Sequence, residues 1–213
     1  MSLKLYHAPG TCALAPLIAL EEANVAFEAV WVDTAAGVQR QPEYLALNPK
    51  GRVPLLAVEG RGLLSETPAI LAYIAQRFPE ARLGPVDDPF AWAQVQSFNS
   101  YLCATVHVAH AHGRRGERWA DDPAAIEAMR RKVPQTMAEC FDLIEAGLPD
   151  GPWVMGEDYS ICDPYLYTIT RWLAGDGVEV ARYPKVQAHL LRMDGRPAVI
   201  RALVLGHDTV ARA

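Results

Sequence analysis

The sequence predicts two units in tandem: an α/β unit with a four-stranded mixed sheet over residues 1–80, then an all-helical unit over 89–213. Three observations predict this. Strand and helix signals alternate through the first eighty residues. A stretch without periodicity, marked by proline, glycine and Asp87-Asp88, follows, and residues 81–88 are read as the linker. Beyond it the strand signals vanish, and the two long helices open on Asp-Pro pairs. With 213 residues, 51% of them hydrophobic and 21% charged, the chain holds enough apolar material for a core, which excludes general disorder.

Leu3 to Tyr6 reads as a short strand ended by Pro9-Gly10, and Ala13 to Ala23 as a helix with Leu14, Leu17 and Ile18 on one face. Phe27 to Val32 is rich in strand formers, which completes a β-α-β unit long enough for a parallel crossover. A short helix is expected around Pro42 to Leu45. Asn48-Pro49-Lys50-Gly51 is turn chemistry, and Val53 to Val58 is a strand with proline near its start, where a missing N–H does least harm. Glu59-Gly60-Arg61-Gly62 loops into Leu63-Leu64. Ser65 is expected to cap a helix from Glu66 to Phe78, stopped by Pro79. In the second unit, Asp88-Pro89 opens a helix to about His112 and Asp122-Pro123 another to about Ala146, in which Pro134 predicts a kink or break. Helices at 164–172, 184–193 and 197–205 complete the unit. Ser160 with Asp163 three residues on reads as a structural capping box.

The net charge is −5, shared as −2 over residues 1–80 and −3 over the rest. Neither part has the basic excess that phosphate neutralisation needs, so no nucleic-acid partner is expected. No apolar run approaches the ~18 residues of a membrane span, and the segment from Ala13 to Leu20 lacks the flanks and cleavage site of a signal peptide. A cytoplasmic location is the expectation. Cys12, Cys103, Cys140 and Cys162 are widely spaced, which indicates neither a disulfide framework nor a cysteine zinc site. His107 and His110 share a helix face, but His112 is rotated away and no cysteine or carboxylate completes a ligand set, so no metal is expected.

Cys12 is the sharpest chemical feature. It follows a Pro-Gly turn and begins a helix, where free N–H groups and the helix dipole favour an anion. This predicts a thiolate formed at lower pH than in a free cysteine; the other reading is an inert buried thiol. Glu66 and Thr67 open the helix after the hairpin. An acid in the first helical turn is favourable in its own right, and such residues are common at helix starts.

Several segments together resemble the glutathione transferase superfamily. Tyr6-His7-Ala8-Pro9-Gly10-Thr11-Cys12-Ala13-Leu14 looks like the first strand and loop of the bacterial beta class. Asn48 to Pro54 resembles the family's N-P-x-G-x-V-P segment, Ser65 to Ile70 its E-S-x-A-I motif with Thr for Ser, and Ser160 to Asp163 its capping box. The resemblance spans essentially the whole chain. It implies a thioredoxin-like glutathione-binding unit followed by the all-α unit, with glutathione as co-substrate and a homodimer as the assembly. It also implies roles: Cys12 contacts the glutathione sulfur and can form a mixed disulfide with it. His107 faces that sulfur across the cleft, as a cation, a donor or a base. A cis Val53-Pro54 peptide leaves Val53 open to an added strand, although a plain turn-ending proline is the bland alternative. Glu66 and Thr67 take the γ-glutamyl end, with Lys50 and Asn99 as further binding residues and Tyr6 as a site wall. The chain departs from the beta class at Ala13, often Ser, at Val108, often Lys, and near Asn99, where the family's asparagine aligns better with Ser100.

Three functions follow from the resemblance. The first is conjugation of glutathione thiolate to hydrophobic electrophiles, a detoxification chemistry. The second is thiol-disulfide exchange or peroxide reduction through Cys12. The third is a non-catalytic binding or assembly protein of the same fold.

Overall fold

The computed structural model describes residues 2–206. In the first unit β1 (Leu3–His7), α1 (Leu14–Glu22) and β2 (Glu28–Trp31) form the expected parallel crossover. A short helix α2 (Pro42–Leu47) leads to β3 (Leu55–Val58) and β4 (Gly62–Ser65), an antiparallel hairpin, and α3 (Thr67–Arg77) closes the unit. The sheet order is β2-β1-β3-β4, with β1 antiparallel to β3 through the pairing of Leu5 with Leu56. This is the thioredoxin-like arrangement, and an all-helical unit follows it.

That second unit runs α4 (Pro89–Tyr101), α5 (His107–Arg114), α6 (Pro123–Gly147), α7 (Cys162–Thr170), α8 (Pro184–Asp194) and α9 (Pro197–Leu205). Asp88 accepts from the N–H groups of Phe90 and Ala91, and Asp122 from that of Ala124, so both Asp-Pro starts are true caps. The long helix expected to His112 is not uniform: a π turn over Leu102–Val106 joins α4 to α5. Pro134 does not break α6, which runs on to Gly147. The last expected residues, 207–213, lie outside the described ones.

The two units share α1. Every residue from Leu14 to Leu20 is buried, because α3 packs on it from the first unit and α7 and α9 from the second. A helix covered on all sides is apolar all round, so the one-faced pattern expected of it is too narrow. Asp163 anchors the helical unit. Its carboxylate accepts from the N–H groups of Ser160 (2.7 Å) and Val154 (2.9 Å) and lies 3.1 Å from His189 Nε2, while Ser160 Oγ accepts from Cys162 N. The capping box is therefore structural, and it reaches further than its own helix.

Candidate active site

A cleft of about 370 Å³ lies where the two units meet. The β1–α1 loop forms one wall. Gly10 takes φ +67°, a left-handed turn that glycine adopts without steric cost, and Thr11 Oγ1 donates to Ala8 O while accepting from Ala13 N. These contacts hold Cys12 just ahead of α1, buried, with its thiol donating to the Val53 carbonyl at 3.9 Å. Burial pushes this thiol above the ordinary cysteine value; the hydrogen bond with Thr67 and the charge of Arg115 only partly offset it. The expectation of a depressed pKa is thus corrected. Desolvation of a buried anion outweighs what the helix start supplies, and Cys12 is a neutral thiol.

Val53-Pro54 is cis, and β3 begins only at Leu55, so the peptide groups of Val53 lie outside the sheet register. The segment before it is fixed by two donors to one acceptor: Tyr44 Oη (2.8 Å) and Asn48 Nδ2 (2.7 Å) both donate to the Arg52 carbonyl. Glu66 precedes α3 at φ +76° and ψ 121°, a conformation costly for a residue with a Cβ. Ser65 does not cap that helix as expected. It ends β4, and its hydroxyl accepts from Lys50 Nζ (3.0 Å), which also pairs with Glu66 at 2.6 Å. Thr67, buried at the first turn, faces the same cleft.

The facing wall comes from the helical unit. His107 follows the π turn and packs against Trp172, with ring centroids 4.9 Å apart. Burial, then repulsion from His110, Arg115, Arg118 and Arg52, pulls its pKa from the ordinary 6.5 to about 3. The cationic role expected as one option is therefore removed: His107 is a neutral imidazole, able to donate or accept. Of its neighbours, His110 is tied to the buried Asp176 through Nδ1 (2.8 Å) and His112 packs edge-on to Trp119. No group of three or more metal-ligating side chains occurs among the described residues.

Seven of the nine residues picked from the sequence line this cleft: Cys12, Lys50, Val53, Pro54, Glu66, Thr67 and His107. Tyr6 does not. It lies on β1 with its ring edge-on to Tyr44 at 6.0 Å and is not among the residues that line the cleft. Asn99 does not either: it is fully buried in α4, its amide without a protein partner and outside the cleft.

Sequence reasoning missed the rest. Cys103 lies four residues before His107 and lines the same wall, a spacing that was available to be read. Arg40, Arg52, Arg115 and Arg118 also line the cleft, and none of the four has a carboxylate within ion-pair distance among the described residues. Partial burial and the charges of Arg115, Arg52 and Arg40 lower the pKa of Arg118, so the guanidiniums feel one another. These residues are scattered in sequence, and nothing local announces that they converge.

A thioredoxin-like sheet joined to a helical unit, with a thiol and an imidazole lining one cleft at the junction, is the frame against which known proteins can be compared. Residues 1–76 match the family described as glutathione S-transferase, N-terminal domain. A glutathione S-transferase of Escherichia coli O157:H7 is 30% identical over 94% of this chain and 97% of that one. A glutathione transferase homologue from Sulfitobacter, solved with bound glutathione, superposes with a TM-score of 0.93 at 47% identity, over 96% of this chain and 98% of the other. A bacterial beta-class glutathione S-transferase from Sphingomonas chungbukensis gives 0.82 at 32% identity, over 95% and 98%. The chain belongs to the glutathione S-transferase family, and within it is beta-class-like.

Proposed function

We propose that this enzyme conjugates glutathione thiolate to hydrophobic electrophiles, as a cytoplasmic homodimer serving detoxification. In this reading residues 1–80 bind glutathione, 81–88 link, and 89–213 supply the electrophile wall. One observation carries it: the Cys12 thiol, the His107 imidazole and the Val53 peptide edge line a single cleft between the units.

Glutathione lies along Val53 as a short added strand. Its γ-glutamyl ammonium meets Glu66, and its γ-glutamyl carboxylate meets the N–H groups at the start of α3 and the Thr67 hydroxyl. The sulfur then sits between two neutral donors, a His107 ring N–H and the Cys12 S–H, which turns to it from the Val53 carbonyl, in the field of Arg115. Donors and a nearby cation favour the thiolate over the thiol, so the thiol proton leaves for solvent. The thiolate attacks the electrophilic carbon, the C–S bond forms, and the leaving group departs with its electron pair.

A second reading is favoured by Cys103, which shares the cleft with Cys12. In it Cys12 loses its proton to solvent and attacks one sulfur of a disulfide, the other sulfur leaves as a thiolate and takes up a proton, and a further thiol resolves the mixed disulfide. The variant Cys12→Ala separates the two. Conjugation of an aryl halide should fall by about tenfold or less, because the lost hydrogen bond to the anion comes from a weak S–H donor. Reduction of a glutathione mixed disulfide should persist at the wild-type level if Cys12 only donates. Loss of disulfide reduction with little change in conjugation would establish the second reading instead.

A further inference from the structure

The cleft carries more positive charge than glutathione uses. Arg40, Lys50, Arg52, Arg115 and Arg118 line the cleft against two carboxylates, Glu66 and Glu117, and Lys50 is already paired with Glu66. Glutathione thiolate brings two net negative charges, which leaves the occupied cleft cationic. The surplus has a definite place. A peptide lying along Val53 has Arg40 and Arg52 available from its own unit for the glycyl carboxylate. Arg115 and Arg118 come from the opposite unit, at the end of α5 and just beyond it. Beside them Val108, Ala111, Trp119 and Trp172 form an apolar and aromatic surface. Guanidiniums without a carboxylate partner, in a cleft also lined by apolar and aromatic side chains, suit a planar aromatic body that ends in an anion.

We propose that the second substrate is an electrophile with a flat apolar body and a carboxylate, the carboxylate held by Arg115 and Arg118. The inference rests on the conjugation reading above and specifies its substrate class. The strain on Arg118, whose charge is disfavoured by burial and then by the neighbouring Arg115, Arg52 and Arg40, is relieved when an anion binds beside it.

The test compares a chlorodinitrobenzoate with its methyl ester, two electrophiles with one ring and one leaving group that differ in charge. With each, the glutathione sulfur bonds to the chlorine-bearing carbon and chloride leaves. The measured quantity is kcat/KM at saturating glutathione, divided by the uncatalysed rate of the same compound. The benzoate is expected to be preferred by about tenfold, with the preference shrinking as salt is added. In R115A/R118A that preference should fall to about one, and R115K/R118K, which keeps the charge, should retain the larger part of it. A wild-type preference at or below one, with the ester turned over, overturns this inference and leaves conjugation standing. Equal losses on both compounds with a raised glutathione KM also overturn it, because the guanidiniums then serve the glycyl carboxylate of glutathione. A lysine pair as impaired as the alanine pair overturns it by assigning the effect to packing. Turnover of neither compound overturns the conjugation reading itself.

Discussion

The displaced pKa of His107 makes an acid sensitivity that one substitution should remove. In the folded chain its imidazole titrates at about 3, and in the unfolded chain it regains the ordinary value of 6.5. Between those two values the unfolded state binds the extra proton, so stability falls as pH falls, by about 1.4 kcal/mol per unit. Integrated from about pH 7.5 to about pH 5, the loss due to this one group is about 2 kcal/mol. Other groups titrate over the same range, but they are common to wild type and to His107→Gln, which keeps a polar, uncharged side chain. The assay is urea unfolding of both proteins at the two pH values, without glutathione. The stability difference between them should move by about 2 kcal/mol against the wild type on acidification. A difference that stays constant within about 0.5 kcal/mol would refute the neutral, desolvated imidazole on which the site chemistry rests.

Two further outcomes test the frame of the site. Glu66→Gly removes the left-handed cost of about 1 kcal/mol but also an exposed ion pair and some rigidity of the unfolded chain, so urea stability should stay within about 1 kcal/mol. The glutathione KM should rise about tenfold, the loss of one charged contact, and an unchanged KM would remove Glu66 from the binding site. Asp163→Ala strands the donors of Ser160, Val154 and His189 in a buried setting, at a cost of about 3–5 kcal/mol read by urea unfolding. A loss under about 1 kcal/mol would make Asp163 a local cap only.

The fold was legible because its signals are local. Asp88 and Asp122 name their helix starts through a single side chain and one or two neighbouring N–H groups, and no distant contact overrules them. The failures needed distant information. Ser65 looked like a cap, yet Glu66 takes a left-handed conformation just before α3 and turns that hydroxyl toward Lys50 instead. Tyr6 and Asn99 have suitable chemistry at suitable positions in sequence. The pleat of β1 decides which way the first one points, and the packing of α4 buries the second. The π turn between Tyr101 and His107 leaves no trace in composition, although it lies between Asn99, which is out of the cleft, and His107, which is in it.

The electrostatics of the cleft could not be read from the sequence, because each decisive quantity depends on what surrounds a group. Cys12 sits where a helix start favours an anion, and burial reverses the outcome. His107 sits where a cation would assist a thiolate, and burial together with Arg115, Arg118 and Arg52 keeps it neutral. These two reversals have a common consequence for the proposed reaction. If Cys12 were the expected thiolate and His107 the cation that was one of its expected forms, Cys12 would repel the glutathione thiolate while His107 attracted it, and the two would largely cancel. With both neutral, each offers a hydrogen to the sulfur and neither opposes it. The charge that favours the thiolate is then left to guanidiniums set back in the cleft, which cannot be deprotonated near neutral pH. A chain with a net charge of −5 thus presents a locally cationic cleft. Because that field comes from residues scattered between positions 40 and 118, folding rather than composition creates it.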